Sequence, residues 1–276
     1  FFLNLWLHEP HTPFHTVPKY RWRFRDLDEP DNIYASVLSH ADDRIGEVLD
    51  VLDRLNLTEN TLVIFSSDNG PARAAKPTAL QLMHDTATGA GYGIGAAKGV
   101  TGGRKAYKGA LFEGGIGVPF IARWPGKIAV GAVDQRSLFS AVDLLPTFCE
   151  IAGVTLPEQY VPDGVSQVAL LTGKEQPSRE KPLFWKMSAP WPANKSRPDH
   201  WVAYAIVDQT WKLATNKDAS HVELYDLAAD PLEKRDLNDD QHQEVVAQLG
   251  KKLEQWKSTL PSKPTGDVFS AERQDR

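Results

Sequence analysis

Thr61-Leu-Val-Ile-Phe-Ser-Ser-Asp-Asn-Gly70 is the stretch on which the fold turns. A β-branched apolar run of strand length stops at polar, turn-forming residues. It reads as a buried strand over residues 61–65 that delivers Asp68, Asn69 and Gly70 just past its carboxyl end. Upstream, Tyr34, Val37, Leu38, Ala41, Ile45, Val48, Leu49, Leu52 and Leu55 recur at three- and four-residue intervals with charges between them. That spacing predicts a helix over residues 33–55, with Asp31, after Pro30, as the expected N-cap. Further upstream, Phe1-Phe-Leu-Asn-Leu-Trp-Leu7 reads as a second buried strand, followed by the His/Pro-rich loop His8-Glu-Pro-His-Thr-Pro-Phe-His15. Strand, helix and strand with short joins predict the βαβ pattern of an α/β sheet.

Downstream of Gly70 the periodicity disappears from residue 71 to residue 108, a Gly-, Ala- and Thr-rich segment too long for an ordinary connection. It is expected to be mobile or to act as a substrate-shaping lid. A strand is expected over residues 117–123, closed by Trp124-Pro-Gly126, and a helix over residues 143–152, with Pro146 in its first turn and Gly153 at C′. The composition turns polar around residues 173–182. Beyond it, strand-like runs at 182–186, 201–207, 211–215 and 222–227 are spaced as an antiparallel meander. A last helix, 241–260, carries Val245, Val246, Leu249, Leu253 and Trp256 on one face. The expected division is therefore an α/β part, residues 1–175, and a small α+β subdomain, residues 176–276.

The composition narrows the class. At about 150 residues per domain, 276 residues make one large domain or one plus a small one. Hydrophobic residues at 41% and charged residues at 24% exclude disorder and collagen-like or coiled-coil architectures. A net charge of −5 lacks the concentrated basic face of a nucleic-acid binder, so no nucleic-acid partner is expected. Cys149 is the sole cysteine, which excludes an internal disulfide framework and a thiolate zinc cluster. No stretch approaches the roughly 20 apolar residues of a membrane span. The first residues lack the basic n-region and cleavage site of a signal peptide. A core strand at residue 1 points to a truncated protein whose targeting information would lie upstream.

Three groups of residues carry chemistry. Asp68-Asn69-Gly70 is a strong hairpin-turn signal, but no partner strand follows it. At the carboxyl end of a strand in an open α/β sheet it equally offers two hard oxygen ligands, suited to Ca²⁺ or Mg²⁺. His8, His11 and His15 follow the first strand. A zinc site there is disfavoured, because Pro10 and Pro13 hold the segment extended and an extended chain alternates its faces. Lys108-Gly-Ala-Leu-Phe-Glu-Gly-Gly-Ile-Gly-Val-Pro119 leads an ammonium into a glycine turn and a strand. Gly114, Gly115 and Gly117 permit unusual φ or close backbone approach, and a lysine suits a tetrahedral oxyanion such as sulfate or phosphate. Cys149, on an apolar helical face, reads as core.

The order of these pieces resembles the type I, formylglycine-dependent sulfatases of the alkaline phosphatase superfamily. The resemblance is carried by an apolar strand–x–Pro-His-x-Pro, an Asp-Asp-x-Ile-Gly helix, strand–Ser-Asp-Asn-Gly, Lys-x4-Glu-Gly-Gly-x-x-Val-Pro and Trp-Pro-Gly. Asp143-Leu-Leu-Pro-Thr147, Asp163-Gly-Val and Glu223-Leu-Tyr-Asp-Leu-x-x-Asp-Pro-x-Glu233 extend it over essentially the whole chain. It is nearest to bacterial members related to the N-acetylgalactosamine-6-sulfatase and arylsulfatase group. The resemblance implies an alkaline-phosphatase-like mixed sheet flanked by helices and hydrolysis of carbohydrate or aryl sulfates. It assigns Asp68 and Asn69 as two Ca²⁺ ligands, with Mg²⁺ the alternative. It makes His11 a contact to the sulfate at the nucleophile and Lys108 the donor to a sulfate oxygen on the leaving-group side. A sulfated small molecule or glycan as partner and a periplasmic or secreted location are implied as well.

The departures from the pattern are specific. The Cys/Ser-x-Pro/Ala-x-Arg motif that yields the formylglycine nucleophile is absent, as are the upstream Asp-Asp pair and the further Lys and His of the pocket, and Gly117 stands where the family often carries Arg. The chain therefore reads as the C-terminal portion of a sulfatase with part of its site, inert by itself, its nucleophile expected upstream. Two alternatives remain at this point. One is a phosphodiesterase or phosphonate hydrolase of the same superfamily, disfavoured by Asn69 where zinc-dependent relatives often have His. The other is a non-catalytic binding homologue. Trp185, Trp191 and Trp201 are open to sugar stacking, with packing the commoner use.

Overall fold

A computed structural model of the chain describes residues 1–74, 82–85, 89–174, 178–187 and 198–261. Trp191 and parts of the Gly-rich segment read as mobile or lid-forming, residues 75–81 and 86–88, lie outside the described residues. Helix α1 (Pro18–Arg23) precedes the long α2 (Glu29–Arg54), and strand β1 (Val63–Ser66) follows. A small hairpin, β2 (Leu82–Asp85) and β3 (Gly89–Tyr92), comes next, then α3 (Glu113–Ile116), β4 (Phe120–Arg123), α4 (Leu144–Ala152) and α5 (Val168–Leu171). The chain ends in β5 (Leu183–Lys186), β6 (Tyr204–Asp208), β7 (Trp211–Thr215), β8 (Val222–Asp226) and α6 (Gln243–Thr259). Every ladder is antiparallel among the described residues: β1 with β4, β2 with β3, and a sheet in the order β5-β6-β7-β8. No helix among the described residues is long and apolar enough to cross a membrane.

The opening strand expected at residues 1–7 does not form. Backbone groups of a strand need a ladder partner, and residues 1–7 find none among the described residues, with Phe1, Phe2, Leu3, Leu5 and Trp6 exposed. Among the described residues the strand–helix–strand unit is therefore not realised, and β1 pairs instead with β4 across the Gly-rich segment. β1 is also not the buried strand that its composition predicts, since Phe65 and its register partner Ile121 are 45% and 61% exposed.

Helix α2 begins earlier than its apolar spacing suggests. Asp28 is the N-cap, its carboxylate accepting the Asp31 N–H at 3.1 Å, and Pro30 sits in the first turn where no N–H is required. The apolar face buries Ile33 and Val37 against Phe14, Ala96 and Ala97. Each such aliphatic side chain, taken fully out of water, contributes about 1.5–3 kcal/mol. Helix α4 ends as expected on Gly153, left-handed at φ 66°. Cys149 on α4 is half-buried rather than core. The Gly-rich segment, in which no periodicity was read, contains the β2–β3 hairpin; four glycines at alternate positions from Gly89 to Gly95 erase the side-chain alternation that would have announced it.

The β5–β8 sheet is buried on both faces, and strand parity sorts its residues. Ile206, Leu213 and Leu224 point to α6, where they pack with Leu249 and Leu253. Their neighbours Ala205, Ala214 and Tyr225 point the other way, onto Ala110, Leu111 and Phe112 of the segment that leads into α3. The sheet thus forms the floor beneath the Lys108–Gly115 region. A second junction is made at α4: the Asp143 carboxylate, fully buried, binds Arg179 through two bonds of 2.8 and 2.9 Å and accepts the Ser140 and Val165 amides. Bidentate pairing of this kind satisfies a charge that would otherwise be costly to bury.

Candidate active site

The turn after β1 is held by backbone contact. Ser66 Oγ donates to the Pro119 carbonyl at 3.0 Å, and the Gly70 N–H donates to the Gly115 carbonyl at 2.8 Å. A Cβ built on Gly70 would overlap the Gly114 carbonyl oxygen. One on Gly114 would overlap the Lys105 and Ala106 carbonyls, and one on Gly115 the Ala110 carbonyl. The left-handed glycines of the described residues lie elsewhere. Asn69-Gly70 is therefore not a hairpin turn, and of the two uses open to Gly114 and Gly115, close approach is the one realised. Next to this contact the Lys108 N–H donates to the Pro71 carbonyl at 3.0 Å. Asp68, Asn69 and Lys108 are thereby gathered on two backbones that touch.

The donors in the turn are oxygens. The Asn69 Nδ2 donates to the Gly70 carbonyl at 3.0 Å, which leaves Oδ1 as its free acceptor, and Asp68 is exposed, 3.5 Å from Ser67 Oγ. No group of three or more His, Cys, Asp or Glu side chains able to hold a metal occurs among the described residues. A carboxylate and a carboxamide oxygen are the chemistry of a hard divalent cation but make only part of its six to eight ligands. The donor set fits such an ion as one side of a shell.

The histidine loop has a separate anchor. Phe14 and Tyr92 exchange both backbone bonds, at 2.8 and 2.9 Å, tying the loop to β3. Contrary to the expectation from alternation, the three imidazoles cluster: the His8 ring centroid lies 6.1 Å from that of His11 and 5.7 Å from that of His15. His11 is exposed, with Nδ1 2.6 Å from the Thr12 carbonyl. A carbonyl only accepts, so this bond assigns a hydrogen to Nδ1. No hydrogen bond or ion pair among the described residues links His11 to Asp68, Asn69 or Lys108.

Lys108 lines a cavity of about 120 Å³, with Arg73, Tyr107 and Ile94 and, from the loop before β6, Asp199 and His200. The Arg73 guanidinium lies over the Tyr107 ring, 5.5 Å from its centroid. Ile94 is two residues beyond Tyr92, so the strand that anchors the histidine loop ends at this cavity. Two cations and a carboxylate around a small concavity suit an anion attached to a polar body. Arg73, Asp199 and His200 carried no sequence signal: Arg73 sits in the segment without periodicity, and Asp199-His200 in a Pro- and Trp-rich loop. Of the tryptophans open to sugar stacking, Trp185 and Trp201 have other partners. The Trp201 face is covered by His221, with ring centroids 3.9 Å apart, and Trp185 packs on the Phe112 core.

The floor beneath the glycine turn is ionic. Lys212 Nζ, with no exposed side-chain surface, lies 2.9 Å from Glu113 Oε1 and 2.8 Å from Glu233 Oε1, and Glu233 Oε2 accepts the Glu113 N–H at 2.6 Å. Burial pushes the Glu233 carboxyl above the ordinary carboxylate range, outweighing the opposing pull of Lys212. Lys105 Nζ crosses in the other direction to Glu223 Oε2 at 2.7 Å and Tyr225 Oη at 2.8 Å. Burial, reinforced by Glu223, pushes the Tyr225 hydroxyl upward.

Comparison with known proteins places the chain in a family. Residues 1–154 match the family described as Sulfatase, and residues 105–259 match N-sulphoglucosamine sulphohydrolase, C-terminal. The chain belongs to the sulfatase family. Among relatives, it is 31% identical over 238 residues to the N-acetylgalactosamine-6-O-sulfatase of Bacteroides thetaiotaomicron, covering 80% of this chain and 41% of that one. To human steryl-sulfatase it is 29% identical over 261 residues, covering 86% and 42%. The crystal structure of Ps i-CgsB in complex with k-i-k-neocarrahexaose superimposes with a TM-score of 0.69 over 90% of this chain and 48% of that chain, at 24% identity, a likeness of fold. The chain spans about two fifths of the length of these curated relatives.

Proposed function

We propose that this chain forms one wall of the active site of a sulfuric ester hydrolase acting on sulfated carbohydrates or aryl sulfates. Residues 1–175 are the C-terminal part of its catalytic unit and residues 176–276 a smaller subdomain. The observation that supports this reading is the paired backbone contact, Gly70 to Gly115 and Lys108 to Pro71, which brings together the backbones that carry Asp68, Asn69 and Lys108 in a family member. Asp68 and Asn69 hold Ca²⁺, or Mg²⁺, together with ligands from outside these residues. When bound, the cation supplies charge neutralisation at the sulfuryl oxygens. Lys108 donates to a sulfate oxygen on the leaving-group side, where negative charge accumulates as the S–O bond breaks. His11 contacts the sulfate through Nε2. The formylglycine nucleophile comes from outside these residues, so the chain by itself is inert. The cavity lined by Arg73, Asp199 and His200 receives the alcohol part of the ester. The name of the Bacteroides relative favours a sulfated glycan, and with it a periplasmic or extracellular site of action.

The test is turnover of a sulfate ester by the protein that carries the nucleophile. Lys108→Ala should lower kcat/KM by about 10²–10³-fold, the usual cost of one electrostatic donor, with the thermal midpoint unchanged. Wild-type kcat/KM in the folded variant removes Lys108 from the site.

A further inference from the structure

The motif that the sequence offered for sulfate handling, Lys-x4-Glu-Gly-Gly, contains a glutamate that the proposed reaction leaves without a task. Glu113 does not face the cavity. Its carboxylate turns to Lys212 of β7, and its amide is held by Glu233. Lys212 is fully buried, flanked by two carboxylates and 5.9 Å from the Phe112 ring centroid, while Lys105 Nζ lies 4.1 Å from that same ring. Each side of the junction therefore contributes one ammonium to carboxylates of the other, with Phe112 between them. An ion group this dry is held by geometry: its members lose solvation and regain it only if all partners stay in place.

What stands on this group is the site. Glu113 opens α3, the Gly114 N–H donates to the Lys105 carbonyl at 2.7 Å, and Gly115 carries the carbonyl that receives Gly70. The packing of Gly70 on Gly114 leaves no room for a methyl group, so a shift of the turn cannot be absorbed by side chains and passes directly to the backbone of Asp68-Asn69-Gly70. We propose that Glu113, Lys212 and Glu233 are positioning residues: an ionic clamp from the C-terminal sheet that fixes the glycine turn and, through it, the Gly70 and Lys108 backbones. The proposal rests on the reading of Asp68, Asn69 and Lys108 as the site, but the clamp can be tested without turnover.

Amide hydrogen exchange resolves it. In Lys212→Met the buried Glu233 carboxylate and the partly exposed Glu113 carboxylate face each other without a cation, and the Gly70 and Lys108 amides should exchange about tenfold faster or more, with α6 protected as in wild type. Lys212→Met/Glu233→Gln should restore protection at both amides, because the single remaining carboxylate, Glu113, is one-fifth exposed and can be solvated. Wild-type exchange at Gly70 and Lys108 in folded Lys212→Met, equal acceleration across α6, or no recovery in the double variant overturns the proposal. If Lys212→Met does not fold, Glu113→Gln serves: it keeps the shape and the amide bond to Glu233, and unchanged protection at the two amides overturns the clamp equally. Turnover is not the readout, so a failed clamp leaves the hydrolase reading standing, and the reverse.

Discussion

The β1–β4 ladder and the β5–β8 sheet are written in the same apolar, β-branched vocabulary, yet only the second is enclosed. In β6, β7 and β8 the residues of one parity pack under α6 and those of the other pack under the Ala110–Phe112 segment, so a run such as Ala205-Ile206-Val207 is buried throughout. In β1 and β4 the directly opposed pair Phe65 and Ile121 has no such cover among the described residues. Apolar composition states that a surface is meant to be covered; it does not state by what. The covered sheet is also where the candidate site is anchored, while the open ladder presents Asp68 and Asn69.

This contrast can be broken by matched truncations. Leu213→Ala, beneath α6, should cost about 2–5 kcal/mol in chemical denaturation, whereas Ile121→Ala should stay within about 0.5 kcal/mol. Equal losses would mean the ladder is as enclosed as the sheet. A smaller effect separates backbone contact from side-chain packing: Gly70→Ala must move the Gly114 carbonyl and should cost about 1–3 kcal/mol, measured by the same denaturation. The smallest has the opposite sign. Gly46 lies within α2 with nothing inside 4 Å of an added Cβ, so Gly46→Ala should raise stability by about 0.5–1 kcal/mol; a loss there would show that α2 is packed on that side.

Much of this was legible in the residues. The meander and α6 were readable to within a few positions because strands buried on both faces leave short apolar runs bounded by polar turns, and the Leu249, Leu253 and Trp256 face packs as its spacing indicates. The α2 start was missed because Asp28 caps a helix whose apolar face begins only at Ile33, after Pro30. The opening strand does not form because residues 1–7, though apolar, find no ladder partner among the described residues. At the candidate site, Asp68, Asn69 and Lys108 were proposed from residue type and motif order, and the contact of the backbones that carry them depends on glycines that allow close approach. Arg73, Asp199 and His200 were invisible for the opposite reason: they meet only through the tertiary fold, from segments with no pattern of their own. Lys212 was hidden inside a strand, where a charge reads as a solvent-facing position.

That lysine has one more consequence. Within Trp211–Thr215 it neighbours Leu213, and the two point to opposite sides of the sheet. A slip of β7 by one residue against β6 and β8 would carry the ammonium beneath α6, among leucines, and set an aliphatic chain between two carboxylates. The strand can therefore be threaded in a single phase, and a charge placed in the interior acts as the key that rejects every odd-numbered misalignment during assembly.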